Sequence, residues 1–143
     1  MSRKRSRARS RALQALYQWQ LTGQDVADIE GQFLADHEMG NVDRGYFGDL
    51  LRGVTSHLHE LDDHVTPYLD RAVEQIDPVE RAILRLGAYE LAFHPEVPYR
   101  VAINEAVELG KAFGAEEGHK YVNSILDRVA RKLRAPEIKT KPG

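Results

Sequence analysis

The chain contains no cysteine. Disulfide staples, thiolate zinc sites and cysteine nucleophiles are therefore excluded. No apolar run reaches the roughly 18 residues that a membrane-spanning helix needs. There is no Gly-rich phosphate loop, no GxSxG nucleophile elbow and no HExxH zinc motif. No stretch alternates for long with the period of a strand, and no internal repeat recurs at a fixed spacing. Acidic residues are also missing from the start: none precedes Asp25, although the chain holds 22 of them.

What fills that acid-free start is cationic. Arg3, Lys4, Arg5, Arg7, Arg9 and Arg11 give residues 1–11 a charge of +6, while the whole chain carries −2. Residues 12–127 carry −13 and residues 128–143 carry +5. Charge is segregated, and an arm of this kind suits a polyanion, with nucleic acid the expected partner. The acidic body suits a cationic partner. The cationic start lacks the apolar stretch of a secretory signal. It shares arginine and serine with transit peptides, but its arginines continue into a helix that reads as structural. The expected location is the cytoplasm.

A chain of 143 residues is most simply one domain, able to bury about 68–70% of its unfolded surface. Ala8, Ala12, Ala15, Leu16 and Trp19 recur at helical spacing, predicting a helix over 5–20 that displays the arginines and ends at Thr22-Gly23. Val26, Ile29 and Phe33 predict a second, shorter helix. Asp43 is the expected N-cap of a helix over 44–60 with Phe47, Leu50, Leu51, Val54 and Leu58 inward. Asp62 is the expected cap of a short fourth helix, with Pro67 near its start or kinking it. Asp77-Pro78-Val79-Glu80 reads as a capping box opening a helix that runs to Phe93. Pro98 opens the next, with Ala102, Ala106, Leu109 and Phe113 inward. The last runs over 116–133, and Pro136 is expected to end order. The prediction is an all-α domain of about seven helices over 1–135 and a disordered tail over 136–143.

Two clusters invite catalytic readings. His57, Glu60 and either Asp63 or His64 would lie near one face of a continuous helix and could ligate zinc, yet histidines near a helix C-terminus also answer its dipole. The second description is preferred, and no metal or cofactor is expected. The acid pairs Asp62/Asp63, Glu105/Glu108 and Glu116/Glu117 read as solvated faces rather than converging acid–base groups. The chain is therefore read as non-enzymatic. Asn104 and Asn123 lie in apolar helical contexts and are expected to serve buried helix–helix hydrogen bonds.

Four stretches carry a family resemblance. They are Arg11–Trp19 (RALQALYQW), Asp77–Leu91 (DPVERAILRLGAYEL), Val97–Leu109 (VPYRVAINEAVEL) and Tyr121–Asp127 (YVNSILD). In this order and spacing the chain resembles the NusB family of bacterial transcription antitermination factors, from the arginine arm to about Val129. The resemblance implies two packed helical bundles and binding of single-stranded boxA RNA from ribosomal-RNA operons. It implies a joint action with the ribosomal protein NusE, loading onto RNA polymerase with NusA and NusG, and monomers or homodimers. A related fold precedes the catalytic domain of some RNA cytosine methyltransferases, and that activity is not expected of this chain.

Under that reading Arg5, Arg7, Arg9 and Arg11 track phosphates. About five neutralised phosphates on a single strand give a log–log salt slope of roughly −3.5. Tyr17 and Tyr121 are candidate stacking platforms, with Gln14, Gln18, His119 and Lys120 as polar contacts. Glu74, Glu80 and Arg81 match the partner-binding region. Two other readings compete: a protein-only helical scaffold with an incidental arm, and a metal-dependent hydrolase built on the histidines.

Overall fold

A computed structural model describes residues 2–140, and among them only helices and their connections occur. The α-helices are α1 (Arg3–Thr22), α2 (Val26–Ala35), α3 (Arg44–Ser56), α4 (Leu58–Val65), α5 (Pro78–Phe93), α6 (Tyr99–Phe113), α7 (Gly118–Leu133) and α8 (Ala135–Thr140). Short 3-10 turns lie at His37–Asn41, Thr66–Tyr68 and Val73–Gln75.

Caps placed by the sequence fix most of the boundaries. The Asp25 side chain accepts from the Ala27 amide, Asp43 from the Tyr46 amide, and Asp77 from the amides of Val79 and Glu80. Gly23 closes α1 in the left-handed region at φ 67°, and its amide bonds the Trp19 carbonyl. Pro78 occupies the first turn of α5, where no amide is missed.

Helix α5 is the hub. Ala82 to Leu91 are all buried, and this helix packs on α1, α3, α4, α6 and α7. A helix apolar nearly all round must be enclosed. On one side α1 also packs on α2 and α3; on the other, α6 lies along α7. The buried side chains form one continuous core, from Ala8, Leu13 and Leu16 through Phe47 and Leu50 to Leu126 and Val129. Trp19 is half-buried against it.

Five expectations change. The helix predicted over 44–60 breaks at His57, and α4 begins at Leu58. Asp62 lies inside α4 rather than capping it. Its carboxylate takes both ends of the Arg85 guanidinium at 2.8 and 2.9 Å, and Arg85 also donates to Gln20 Oε1. Order does not end at Pro136. Arg134, only 6% exposed, donates to the carbonyls of Glu90, Leu91 and His94, and to the Glu137 carboxylate. Glu137 in turn accepts from the Tyr99 amide at the start of α6. This bolt holds α8 in place; residues 141–143 of the predicted tail lie outside the described residues. Finally, Asn104 and Asn123 are exposed, and Phe113 is 42% exposed rather than inward.

Candidate nucleic-acid interface

Helical period sorts the arginines of α1 onto two faces. Arg3, Arg7 and Arg11, followed by Gln14 and Gln18, share the outer face. Arg5 and Arg9 share the opposite face with Ala12 and Leu16, which are buried.

Arg9 is 2% exposed, so the expectation that it contacts RNA is corrected. Its Nε and Nη2 grip the Glu90 carboxylate at 2.8–3.0 Å, and Nη1 reaches Glu105 at 2.9 Å. The Tyr46 hydroxyl donates to the same Glu90 carboxylate, and Ser6 donates to Glu105. Burial alone would lower the Arg9 pKa; the hydrogen bonds and charge of Glu90 outweigh it and raise it. Burial, then Glu90, hold the Tyr46 hydroxyl well above its ordinary range. Arg9 is thus a structural cation with no lone donor turned to solvent.

Arg5 is intermediate. Its guanidinium lies 4.3 Å from the Tyr46 ring centroid and 3.7 Å from Asp43. Arg7 is exposed, with one long bond to the Asn41 carbonyl at 3.4 Å. The half-buried Arg11 meets the exposed Glu38 at 3.5 Å. Such surface pairs are worth about 0–1 kcal/mol and yield readily to a phosphate.

The outer face of α1 runs into an open hollow of about 550 Å³. Gln14, Tyr17, Leu21, Phe33, Val79 and Phe113 are among its walls. Tyr17 is 39% exposed, Leu21 55% and Phe113 42%, so this apolar surface is turned outward. The Gln14 amide donates to Ser10, and Gln18 donates to Gln24 and Gln32. Phe113 continues the Leu109 stripe, and on that pattern it is expected in the core. Its position as the last residue of α6, one before Gly114, is the signal that it projects past the helix end.

A second hollow of about 380 Å³ adjoins the first through Val79-Glu80 and the turn after Phe113. Arg71, Asp77, Glu80, Glu117, Gly118 and Tyr121 line it. The Tyr121 hydroxyl donates to Asp70 at 2.9 Å. Arg71 and then that hydroxyl hold the Asp70 carboxyl below its usual range. Burial, with the bond to Asp70, pushes the Tyr121 hydroxyl up. Lys120 is exposed and pairs with Glu117 at 2.9 Å. His119 is half-buried, and its Nδ1 has no partner among the described residues.

Glu80 does not complete a capping box: among the described residues no bond joins its carboxylate to the Asp77 amide. It leans instead on the start of α7, where a Cβ on Gly118 would collide with the carboxylate. Burial, then the charge of Asp77, raise the Glu80 pKa. Arg81 donates to the Glu74 carbonyl at 3.0 Å, and its buried Nε is unpaired among the described residues. The Glu74 side chain faces solvent. The structure therefore brings Gln14, Tyr17 and Gln18 to one hollow and Glu80 and Tyr121 to its neighbour.

Among the described residues no three His, Asp or Glu side chains converge as a metal site. In the 57–64 segment, His57 Nδ1 meets the Gly53 carbonyl, while His59 pairs with Asp63 and His64 with Glu60. No helix is long and apolar enough to cross a membrane among these residues.

The NusB family matches residues 6–131, spanning both hollows and α1 from Ser6 onward. The chain belongs to the NusB family. It is 56% identical over 141 residues to the transcription antitermination protein NusB of Nitrosococcus oceani, covering 99% of this chain and 95% of that protein. It is 59% identical over 133 residues to the NusB of Alcanivorax borkumensis, covering 93% and 89%. Among solved structures, T. maritima NusB superposes with a TM-score of 0.78 at 33% identity, covering 92% of this chain and 94% of that one. A crystal structure of antitermination factors NusB and NusE in complex with double-stranded RNA gives 0.84 at 28% identity, covering 92% and 99%. Within this NusB-family chain, Arg9 and Glu90 belong to the core, while Arg7, Arg11, Tyr17 and Phe113 are presented to solvent.

Proposed function

We propose that this NusB-family protein is a non-enzymatic transcription antitermination factor that binds boxA RNA of ribosomal-RNA operons together with NusE. The observation that carries the reading is the junction on α1. A ridge of outward cations, Arg3, Arg7 and Arg11, feeds directly into a hollow walled by the exposed rings of Tyr17 and Phe113. Cations attract and align phosphates without reading sequence, while ring faces accept unstacked bases. Gln14 and Gln18 line the hollow with those rings as hydrogen-bonding groups, Tyr121 supplies a third ring in the adjoining hollow, and His119 and Lys120, just before Tyr121 on α7, are assigned polar contacts there. The solved NusB–NusE complex named above, which holds RNA, supports both partners.

Glu74, Glu80 and Arg81 form the protein-facing part of this proposal. The start of α5 carries Asp77 and Glu80 beside the exposed Glu74, an acidic edge that suits a basic partner such as NusE. The same reading divides the helices into two bundles, α1–α3 and α4–α7, with α5 contacting both. It places the protein in the cytoplasm, on RNA polymerase with NusA and NusG, and leaves a homodimer as a resting form that RNA or NusE dissociates.

Fluorescence anisotropy with a single-stranded boxA RNA, its scrambled counterpart and a double-stranded form, with and without NusE, tests the proposal. Tighter binding to boxA, strengthened by NusE, is expected. Equal weak binding to all three RNAs with no NusE effect would overturn it in favour of a protein-only scaffold.

A further inference from the structure

Outside α1, exposed cations gather on one further helix, where the acidic body gives way to the basic C-terminal stretch. On α7, Lys120, Arg128, Arg131 and Lys132 are all exposed, and helical period sets them on one side of the helix. They span about 18 Å along the axis, from the second hollow toward the C-terminus. The inner side of the same helix is buried through Val122, Ile125, Leu126 and Val129, so the cations cannot rotate inward. Only one acid interrupts them: Asp127, which Arg131 holds at 2.9 Å. Arg128 and Lys132 have no ion pair or hydrogen bond to a side chain among the described residues.

Beside the Lys120–Arg131 edge of this stripe lies a polar hollow of about 380 Å³ between α6 and α7, lined by Tyr99, Arg100, Ile103, Asn104, Asn123 and Asp127. Both asparagine side chains face solvent without a partner among the described residues. Amides that serve no helix–helix bond remain free to pair with a base edge. No exposed large apolar side chain lies on this face; Tyr17, Leu21 and Phe113 are elsewhere. A protein partner would want an apolar centre to its footprint, whereas a nucleic acid wants cations and free hydrogen-bonding groups.

We infer that the outer face of α7 is a second RNA track. It would carry nucleotides that flank the boxA segment from Lys120 past Arg128 to Lys132, with the Asn104–Asn123 hollow receiving a base. This rests on the RNA-binding reading above and extends its footprint. The exposed ion pairs Lys120–Glu117 and Arg131–Asp127 exchange for phosphates at little cost.

The test uses the full chain with NusE, a short boxA RNA, and the same RNA lengthened by an unstructured tract at its 5′ or its 3′ end. The wild type is expected to bind one lengthened RNA more tightly than the short one. Arg128→Gln with Lys132→Gln should remove that gain, roughly tenfold at 0.1 M salt, and flatten the salt slope by about 1.4. Affinity for the short RNA should stay unchanged, which also shows that the variant is folded. Asn123→Ala should reduce the gain without altering the slope. No gain from either extension, or a gain that survives the double substitution, overturns the track while leaving the boxA reading intact. Loss of NusE affinity in place of the RNA gain would make the face a protein surface and equally overturn it. Failure of the wild type to bind the short RNA would instead defeat the underlying reading.

Discussion

Arg9 on α1 and Glu90 on α5 form a two-pronged ion pair at 2.8–3.0 Å, with both residues 2% exposed. Deleting one partner leaves the other charge buried and uncompensated. Arg9→Ala should therefore cost about 3–5 kcal/mol of folding free energy. Arg7→Ala, two residues away on the exposed face, should stay within about 0.5 kcal/mol. Urea unfolding of the two variants checks this. Equal stabilities would show that Arg9 is not the structural cation described.

RNA affinity should respond in the reverse order. Arg7→Ala with Arg11→Ala is expected to flatten the salt slope by about 1.4 and leave thermal unfolding unchanged. With Arg9 withdrawn into the core, Arg3, Lys4, Arg5, Arg7 and Arg11 remain on the arm, and about four neutralised phosphates would give a slope of roughly −2.8 rather than −3.5. Anisotropy titrations across salt concentrations measure both quantities. An unaltered slope in the double variant would remove the arm from the interface.

The exposed rings give a separate handle. Tyr17→Ala and Phe113→Ala should each weaken RNA binding by about 1–3 kcal/mol, with the salt slope unchanged because no charge is removed. Both side chains are about 40% exposed, so circular dichroism should report intact helices. Full affinity in both variants would shift base recognition away from the first hollow.

Arg134 ties the end of α7 to the end of α5. Arg134→Ala leaves the Leu91 carbonyl without its donor, takes a second donor from the carbonyls of Glu90 and His94, which keep the amides of His94 and Val97, and frees Glu137 from its cation. A loss of about 3 kcal/mol is expected, visible as a lowered melting temperature. Hydrogen exchange should rise first at the start of α6, where Glu137 caps the Tyr99 amide. Protection that remains at wild-type level there would separate α8 from the stability of the domain.

Two carboxyls should pull stability in opposite directions with pH. Burial, then Asp77, raise the Glu80 pKa above its ordinary 4.5, so the folded state binds the extra proton. That contribution is complete below pH 4.5 and fades as pH rises through the raised value. Arg71 and Tyr121 lower Asp70 beneath its ordinary 3.8, so its contribution is present above 3.8 and fades as pH falls through the lowered value. Urea midpoints measured across acidic pH should show Glu80→Gln gaining relative stability as pH rises, and Asp70→Asn losing it. Parallel curves for both variants and the wild type would contradict these environments.

Much of the fold was legible because its determinants are local. Asp43 and Asp77 sit at caps, Pro78 sits in a first turn, and Gly23 closes a helix, all as their own chemistry requires. Arg9 was legible too, though hidden by the charge run around it: it falls three, four and seven residues before Ala12, Leu13 and Leu16, inside the buried stripe. Asp62 was not, since nothing nearby in sequence shows that Arg85 will cross from α5 to meet it. Nor were Asn104 and Asn123, whose exposure depends on how α6 and α7 are rolled against each other.

The all-helical class, most helix boundaries and the charge segregation were written in the sequence alone, because propensity, capping and period act over a few residues, and the family was carried by the resemblance of four stretches. Tertiary packing decided which arginines remain outside, that Glu80 faces α7 rather than its own helix start, and that Tyr17 and Phe113 wall one hollow. Those outcomes depend on long-range juxtaposition in a close-packed core, where a cation is either enclosed with its counter-charge or left in water.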